Sequence, residues 1–133
     1  MVKIKKGIVL LLLIYTAFAL FYDSTVIYLG HGFRYFEEVG FIEAKDTSVS
    51  DIPPSVLAYK NRWTYLLVKQ KPKAYDDALF AHFDYSHGRD TTYYWLINKK
   101  TKHVWGPEVY SEMEHRIKEM QNEKLSKLLE SLK

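Results

Sequence analysis

TTYYWLINKKTKHVWGP, residues 91–107, reads as two strands joined by a polar turn and closed by a Gly-Pro stop. Thr91, Tyr93, Trp95 and Ile97 fall on one face of the first strand, and Thr92, Tyr94, Leu96 and Asn98 on the other. Residues 98–102 are the charged turn, and His103, Val104 and Trp105 return as the partner strand. Aromatic pairs across neighbouring strands add roughly 0.2–1 kcal/mol each, so this hairpin is expected to be the best-held part of a sheet. An aromatic row also serves as a ligand platform when a basic groove lies beside it. With no clustered Lys/Arg stripe in the sequence, core packing is the stronger reading.

Downstream, Gly106 and Pro107 are expected to end the strand and hand over to a long helix. Ser111 and Glu114 have the S-x-x-E spacing of a capping box. Glu112/Arg116, Glu114/Lys118 and Glu123/Lys127 place acids four residues before bases, the favourable order. The apolar residues form two stripes. Met113, Ile117 and Met120 make one, and Leu125, Leu128, Leu129 and Leu132 make another, displaced by about 100°. One straight helix cannot bury both on one sheet. Either the chain kinks near Gln121 and Asn122, or the leucines face a partner subunit or a membrane surface, or they fray against the sheet edge.

Upstream, Gly30, Gly32 and Gly40 punctuate short aromatic and β-branched runs over residues 25–44, the pattern of strands separated by tight turns. Phe33 and Tyr35 share one strand face, Arg34 and Phe36 the other, and His31 between two glycines reads as an exposed turn residue. Residues 45–54 form a polar loop stopped by Pro53 and Pro54. Residues 55–59 and 62–70 read as a hairpin turning at Lys60 and Asn61, with Trp63 inside its second, central strand. Residues 76–83 read as a short helix.

Polar chemistry concentrates in residues 84–90. His82, Asp84, His87 and Asp90 are the candidates for a metal-dependent or hydrolytic site, and with Arg89 they form one candidate contact surface. Their spacing matches no metal motif such as H-E-x-x-H, and a solvated turn outweighs catalysis here. The second candidate contact surface is the stripe Leu125, Leu128, Leu129 and Leu132.

Composition bounds the rest. At 47% hydrophobic and 26% charged, the chain is globular, and 16% aromatic residues favour a sheet. Three lysines, Lys3, Lys5 and Lys6, precede an apolar run over residues 8–22. Without those three, 16 of the 19 basic residues face 16 acidic ones, so the net charge of +3 belongs to the N-terminus and nucleic-acid binding is not expected. No cysteine is present, which excludes disulfides, thiolate metal sites and lipid attachment at cysteine. Residues 1–23 read as an export segment, either cleaved after Ala19 within the small-x-small run Ala17, Phe18, Ala19, or retained as an anchor. Residues 7–22 would span roughly 24 Å as a helix, short of the hydrocarbon core unless flanking groups snorkel.

The order YLGHGFRYF, IPPSVLAY, WTYLLVKQ, YYWLINKKTKHVWGP and then a charged helix resembles a family of small bacterial exported proteins of unknown function. Many of these are lipoproteins, with one sheet-and-helix domain carrying a YWIIDK-type strand and a G-P-L turn. Here Tyr22 and Asp23 stand where a lipid-bearing cysteine would be. The resemblance implies no catalytic residues.

The expected architecture is therefore α+β: an N-terminal hydrophobic helix, then residues 24–133 as one domain, an antiparallel sheet with a C-terminal helix. The expected function is a non-enzymatic binding protein of the cell envelope: an inhibitor, an immunity-type protein or an accessory subunit. It would hold the membrane through residues 7–22 if uncleaved, use no cofactor, and meet a protein partner at the loop before the hairpin or on the helix after it. The alternatives are an envelope hydrolase or metal-dependent enzyme using residues 82–90, and a structural membrane-tethered module that would tolerate loss of residues 125–132.

Overall fold

Seven strands and two C-terminal helices follow one another in the computed structural model, which describes residues 9, 12–14, 26–72 and 83–133. The strands are β1 Val26–Gly30, β2 Phe33–Phe36, β3 Phe41–Ala44, β4 Val56–Asn61, β5 Tyr65–Gln70, β6 Tyr93–Asn98 and β7 His103–Glu108. The helices are α1 Tyr110–Glu119 and α2 Glu123–Leu132. The α+β class holds, but the expected single sheet is two: β1-β2-β3 and β4-β5-β6-β7, both antiparallel. An isolated bridge between Ile42 and Ile52 carries the chain from the first sheet toward the second. Of the expected N-terminal helix, only Val9 and residues 12–14 are described; they are helical and exposed. No helix among the described residues is long and apolar enough to cross a membrane. The expected helix over residues 76–83 lies outside the described residues except for Phe83, which sits in a bend.

Alternation along β5 and β6 explains the layering. Leu66, Val68, Trp95 and Ile97 face the first sheet and bury with Leu29, Phe33, Ile42, Ile52 and Val56. Leu67, Tyr94 and Leu96 face the other way and bury with Met113, Ile117, Leu125, Leu129 and Leu132. The four-stranded sheet is thus covered on both faces, as apolar residues on both sides of its two central strands require. Phe33 and Tyr35 do point inward together, while outside them Arg34 pairs with Glu43 and Phe36 stacks on Phe41 at 4.9 Å.

Three local readings change. The β4–β5 turn does not lie at Lys60 and Asn61. Both continue the strand, opposite Leu67 and Leu66, and the chain reverses over residues 62–64, closed by Arg62 N–H donating to Tyr65 O at 2.9 Å. β7 does not stop at Gly106 but runs through Pro107 to Glu108, tolerable on an edge strand, with the register shifting opposite β6 between Tyr94 and Leu96. Gly106 has φ +129°, and a Cβ there would sit 2.8 Å from Tyr94 O, so only glycine fits. Finally, Ser111 lies inside α1 rather than at its cap: Val109 is the N-cap, with no side-chain cap bond. Glu114 pairs with Lys118, but Arg116 turns to Glu108 and Glu112 to His87.

The two apolar stripes are reconciled by a break. Gln121 adopts φ 55°, and the Asn122 side chain caps α2 by accepting from Leu125 N–H at 3.1 Å. The break rotates the leucines back onto the sheet, beside Met113 and Ile117.

Candidate functional site

Moving the β4–β5 turn by two residues changes the character of Trp63. In place of a central-strand position it takes the turn apex, where it is 79% exposed. An indole this exposed gains nothing from the core and marks a contact surface more readily than a folding role. Its visible contact is edge-on with the ring of His31, centroids 6.0 Å apart. His31 is, as expected, an exposed turn residue, with φ 51°.

Beside Trp63 a groove of about 670 Å³ opens between the hairpin end and α2. Lys60, Arg62, Trp63, Thr64 and Tyr65 form one wall. Asn122, Lys124, Leu125, Lys127, Leu128 and Ser131 form the other. Four of these residues are cationic and none is acidic. Arg62 donates to the Asn61 carbonyl at 3.0 Å, and none of the four cations is ion-paired among the described residues. The groove size is that of a ligand or side-chain pocket. Its charge is at odds with the near-neutral balance of the sequence. Beyond residue 6 the chain has 16 basic and 16 acidic residues, so setting aside four groove cations leaves 12 against 16 elsewhere. A clustered basic surface therefore exists. The fold assembles it from two pairs, Lys60 with Arg62 and Lys124 with Lys127, that lie far apart in sequence.

The hairpin end is held by a buried polar cluster. Lys99 is 3% exposed, and its ammonium donates to Leu29 O and Asn61 Oδ1, both at 2.7 Å. Asn61 Nδ2 also donates to Leu29 O at 3.0 Å. The Lys99 amide donates to Thr64 O at 2.7 Å, and the Lys102 ammonium bonds the His31 carbonyl. Burial, reinforced by the nearby Lys102 charge, lowers the Lys99 pKa. Asn61 is thus withdrawn from the turn by a tertiary demand, which is what places Trp63 at the apex. These bonds join β1, the end of β4 and the β6–β7 turn beside the Lys60 and Arg62 wall.

The loop at residues 83–92 is arranged differently. Tyr93 Oη donates to Gly88 O at 2.6 Å and accepts from His87 N–H at 3.0 Å, while Thr91 Oγ1 donates to His87 O at 3.1 Å. Behind it, Gln70 Nε2 donates to Tyr85 Oη at 3.0 Å, and Trp95 Nε1 donates to Gln70 Oε1 at 2.8 Å. The polar side chains point to separate partners. His87 meets Glu112 at 2.8 Å, Asp90 meets Lys71 at 3.1 Å, and the Arg89 guanidinium lies over the Tyr85 ring at 5.1 Å. Asp84 is exposed, and His82 lies outside the described residues. Among the described residues, no group of three or more His, Cys, Asp or Glu side chains is placed to hold a metal.

The leucine stripe separates too. Leu129 and Leu132 are buried in the core beneath α2 and Leu125 keeps only its edge at the groove, so the stripe is no free contact face. This burial also opposes a dispensable segment 125–132, since its removal would uncover Leu67 and Leu96. Leu128 is half-buried and lines the groove. Of the nine residues singled out from sequence, then, Leu125 and Leu128 reach the groove. Its cations and Trp63 were not among them. The signal that marks this wall in the sequence is Lys124, Lys127, Leu128 and Ser131 at spacings of three and four on one helical face.

A family model described as "Protein of unknown function (DUF3997)" matches residues 36–130, from the end of β2 into the last turn of α2. No curated relative and no solved structure matches the chain.

Proposed function

The chain belongs to the DUF3997 family of proteins of unknown function, and on that premise we propose that it is a non-enzymatic binding or interaction protein whose contact surface is the groove between the β4–β5 turn and α2. The observation that carries this reading is Trp63, an indole held at a turn apex with most of its surface in water, on the rim of a cationic, partly apolar groove. Aromatic side chains so placed act as anchors when a partner desolvates them. The turn is braced from behind by Lys99 and Asn61, so the rim is presented on a fixed support. His87, Thr91 and Tyr93 are engaged in holding the loop at 83–92 and its contact with α1, which supports a structural part for it.

We place the protein at the cell envelope, with residues 24–133 facing outward, either anchored through residues 7–22 or released after Ala19. Lys3, Lys5 and Lys6 ahead of the apolar run support that placement through the preference of basic flanks for the inner side of a membrane.

The reading is tested with Trp63→Ala. Tagged wild-type and variant chains are used to recover partners from envelope extract of the source cells. The wild type should retain at least one protein that the variant loses, with circular dichroism unchanged between the two. An identical set of retained proteins, or none at all with a strictly monomeric wild type, would overturn it.

A further inference from the structure

The groove's chemistry points to the kind of partner. We infer that it receives an acidic segment of a protein partner, seated in extended form along α2 with one apolar or aromatic side chain against Trp63 and flanking carboxylates on Lys60, Arg62, Lys124 and Lys127. This rests on the reading of the groove as the contact surface and adds the chemical class of its occupant.

Three observations carry it. First, four cations line the groove without one acidic residue, while everything else beyond residue 6 has an acidic excess. A carboxylate-bearing ligand is attracted there and repelled elsewhere, which selects both site and orientation. Second, the groove is mixed in character. Tyr65, Leu125 and Leu128 provide apolar lining between the cations, and Trp63 stands on the rim, so the occupant must be amphipathic as well as anionic. Third, the helical wall from Asn122 to Ser131 rises about 14 Å. Roughly four residues of extended chain cover that length.

A polynucleotide fits less well. Sequence-tolerant strand binding uses successive stacking aromatics along a continuous basic track, and here one strongly exposed indole stands at one end of a short groove. An anionic bilayer is flat and would leave a concave groove of about 670 Å³ unfilled.

The test uses the full chain in neutral detergent and four probes: a Glu-rich peptide with one central phenylalanine, a Lys-rich peptide of equal length with the same phenylalanine, oligo-dT, and phosphatidylglycerol vesicles. The Glu-rich peptide should bind the wild type best and lose affinity as salt rises. Lys124→Glu combined with Lys127→Glu should weaken it by at least about tenfold, since both side chains are exposed and reversal adds repulsion to lost attraction. Near-ultraviolet circular dichroism of the double variant should match the wild type. Tighter binding of oligo-dT or vesicles, equal binding by the double variant, or no binding of the Glu-rich peptide would overturn the inference. A natural partner lost with Trp63→Ala but kept by the double charge reversal would leave the contact surface standing and remove its acidic occupant.

Discussion

The ring of His31, in the β1–β2 turn, meets the exposed indole of Trp63, at the β4–β5 apex, edge-on with centroids 6.0 Å apart. The contact joins a turn of the three-stranded sheet to a turn of the four-stranded one. It is reinforced beneath by Lys99 and Asn61 on Leu29 O and by Lys102 on His31 O. The groove rim therefore belongs to the junction of the two sheets.

Trp63→Ala should separate stability from binding. Most of the indole already lies in water, so the unfolding free energy in urea should change by no more than about 0.5 kcal/mol. A core-sized loss would mean that Trp63 is a packing residue.

Asn61→Leu should do the reverse. It removes a donor to Leu29 O and an acceptor for the buried Lys99 ammonium, and leaves that ammonium with Leu29 O alone of its two observed acceptors. Denaturant unfolding should show a loss of about 1–3 kcal/mol.

Leu129→Ala should cost about 2–5 kcal/mol, because the side chain is fully buried against the sheet rather than waiting for a partner. Truncation before residue 125 should abolish cooperative unfolding. A truncated chain that unfolds like the wild type would restore the leucines as a free face.

Alkaline titration should expose Lys99. Burial raises the phenol pKa values of Tyr35, Tyr59, Tyr94 and Tyr110 above their ordinary 10.0. The unfolded chain loses those protons first, so their contribution is present below about pH 10 and lost above it. Lys99 acts oppositely. Its folded pKa lies below the ordinary 10.5, so its charge opposes folding at lower pH and the opposition fades as pH rises toward 10.5. Wild type should therefore gain stability relative to Lys99→Met as pH rises toward 10.5, read as the difference between their urea curves.

Much of the scaffold was legible in the sequence because its signals are local and periodic. The two faces of β6 were readable from alternation; the angular offset of the two apolar stripes allowed a break at Gln121 and Asn122 as one alternative, and the one expected C-terminal helix is in fact two. What was not legible depended on distant groups. Lys60 and Asn61 look like a turn until Lys99 and Leu29 O claim the asparagine. Ser111 and Glu114 match a capping box, yet the chain enters α1 earlier, at Val109. The split into two sheets follows from how β1, β2 and β3 fold across β5 and β6, a choice that strand periodicity does not encode. The groove was hidden for the same reason: its cations come from two segments that each read as an ordinary solvated face.

The most direct test of the groove as the contact surface is site-specific crosslinking in source-cell envelopes, with a photoreactive residue at position 63 or, as control, at Val39, which is also exposed. We predict a discrete adduct from position 63, suppressed by excess wild-type chain, at a yield at least about tenfold above that from position 39. Equal yields from the two positions, or no competable adduct from position 63, would contradict the account.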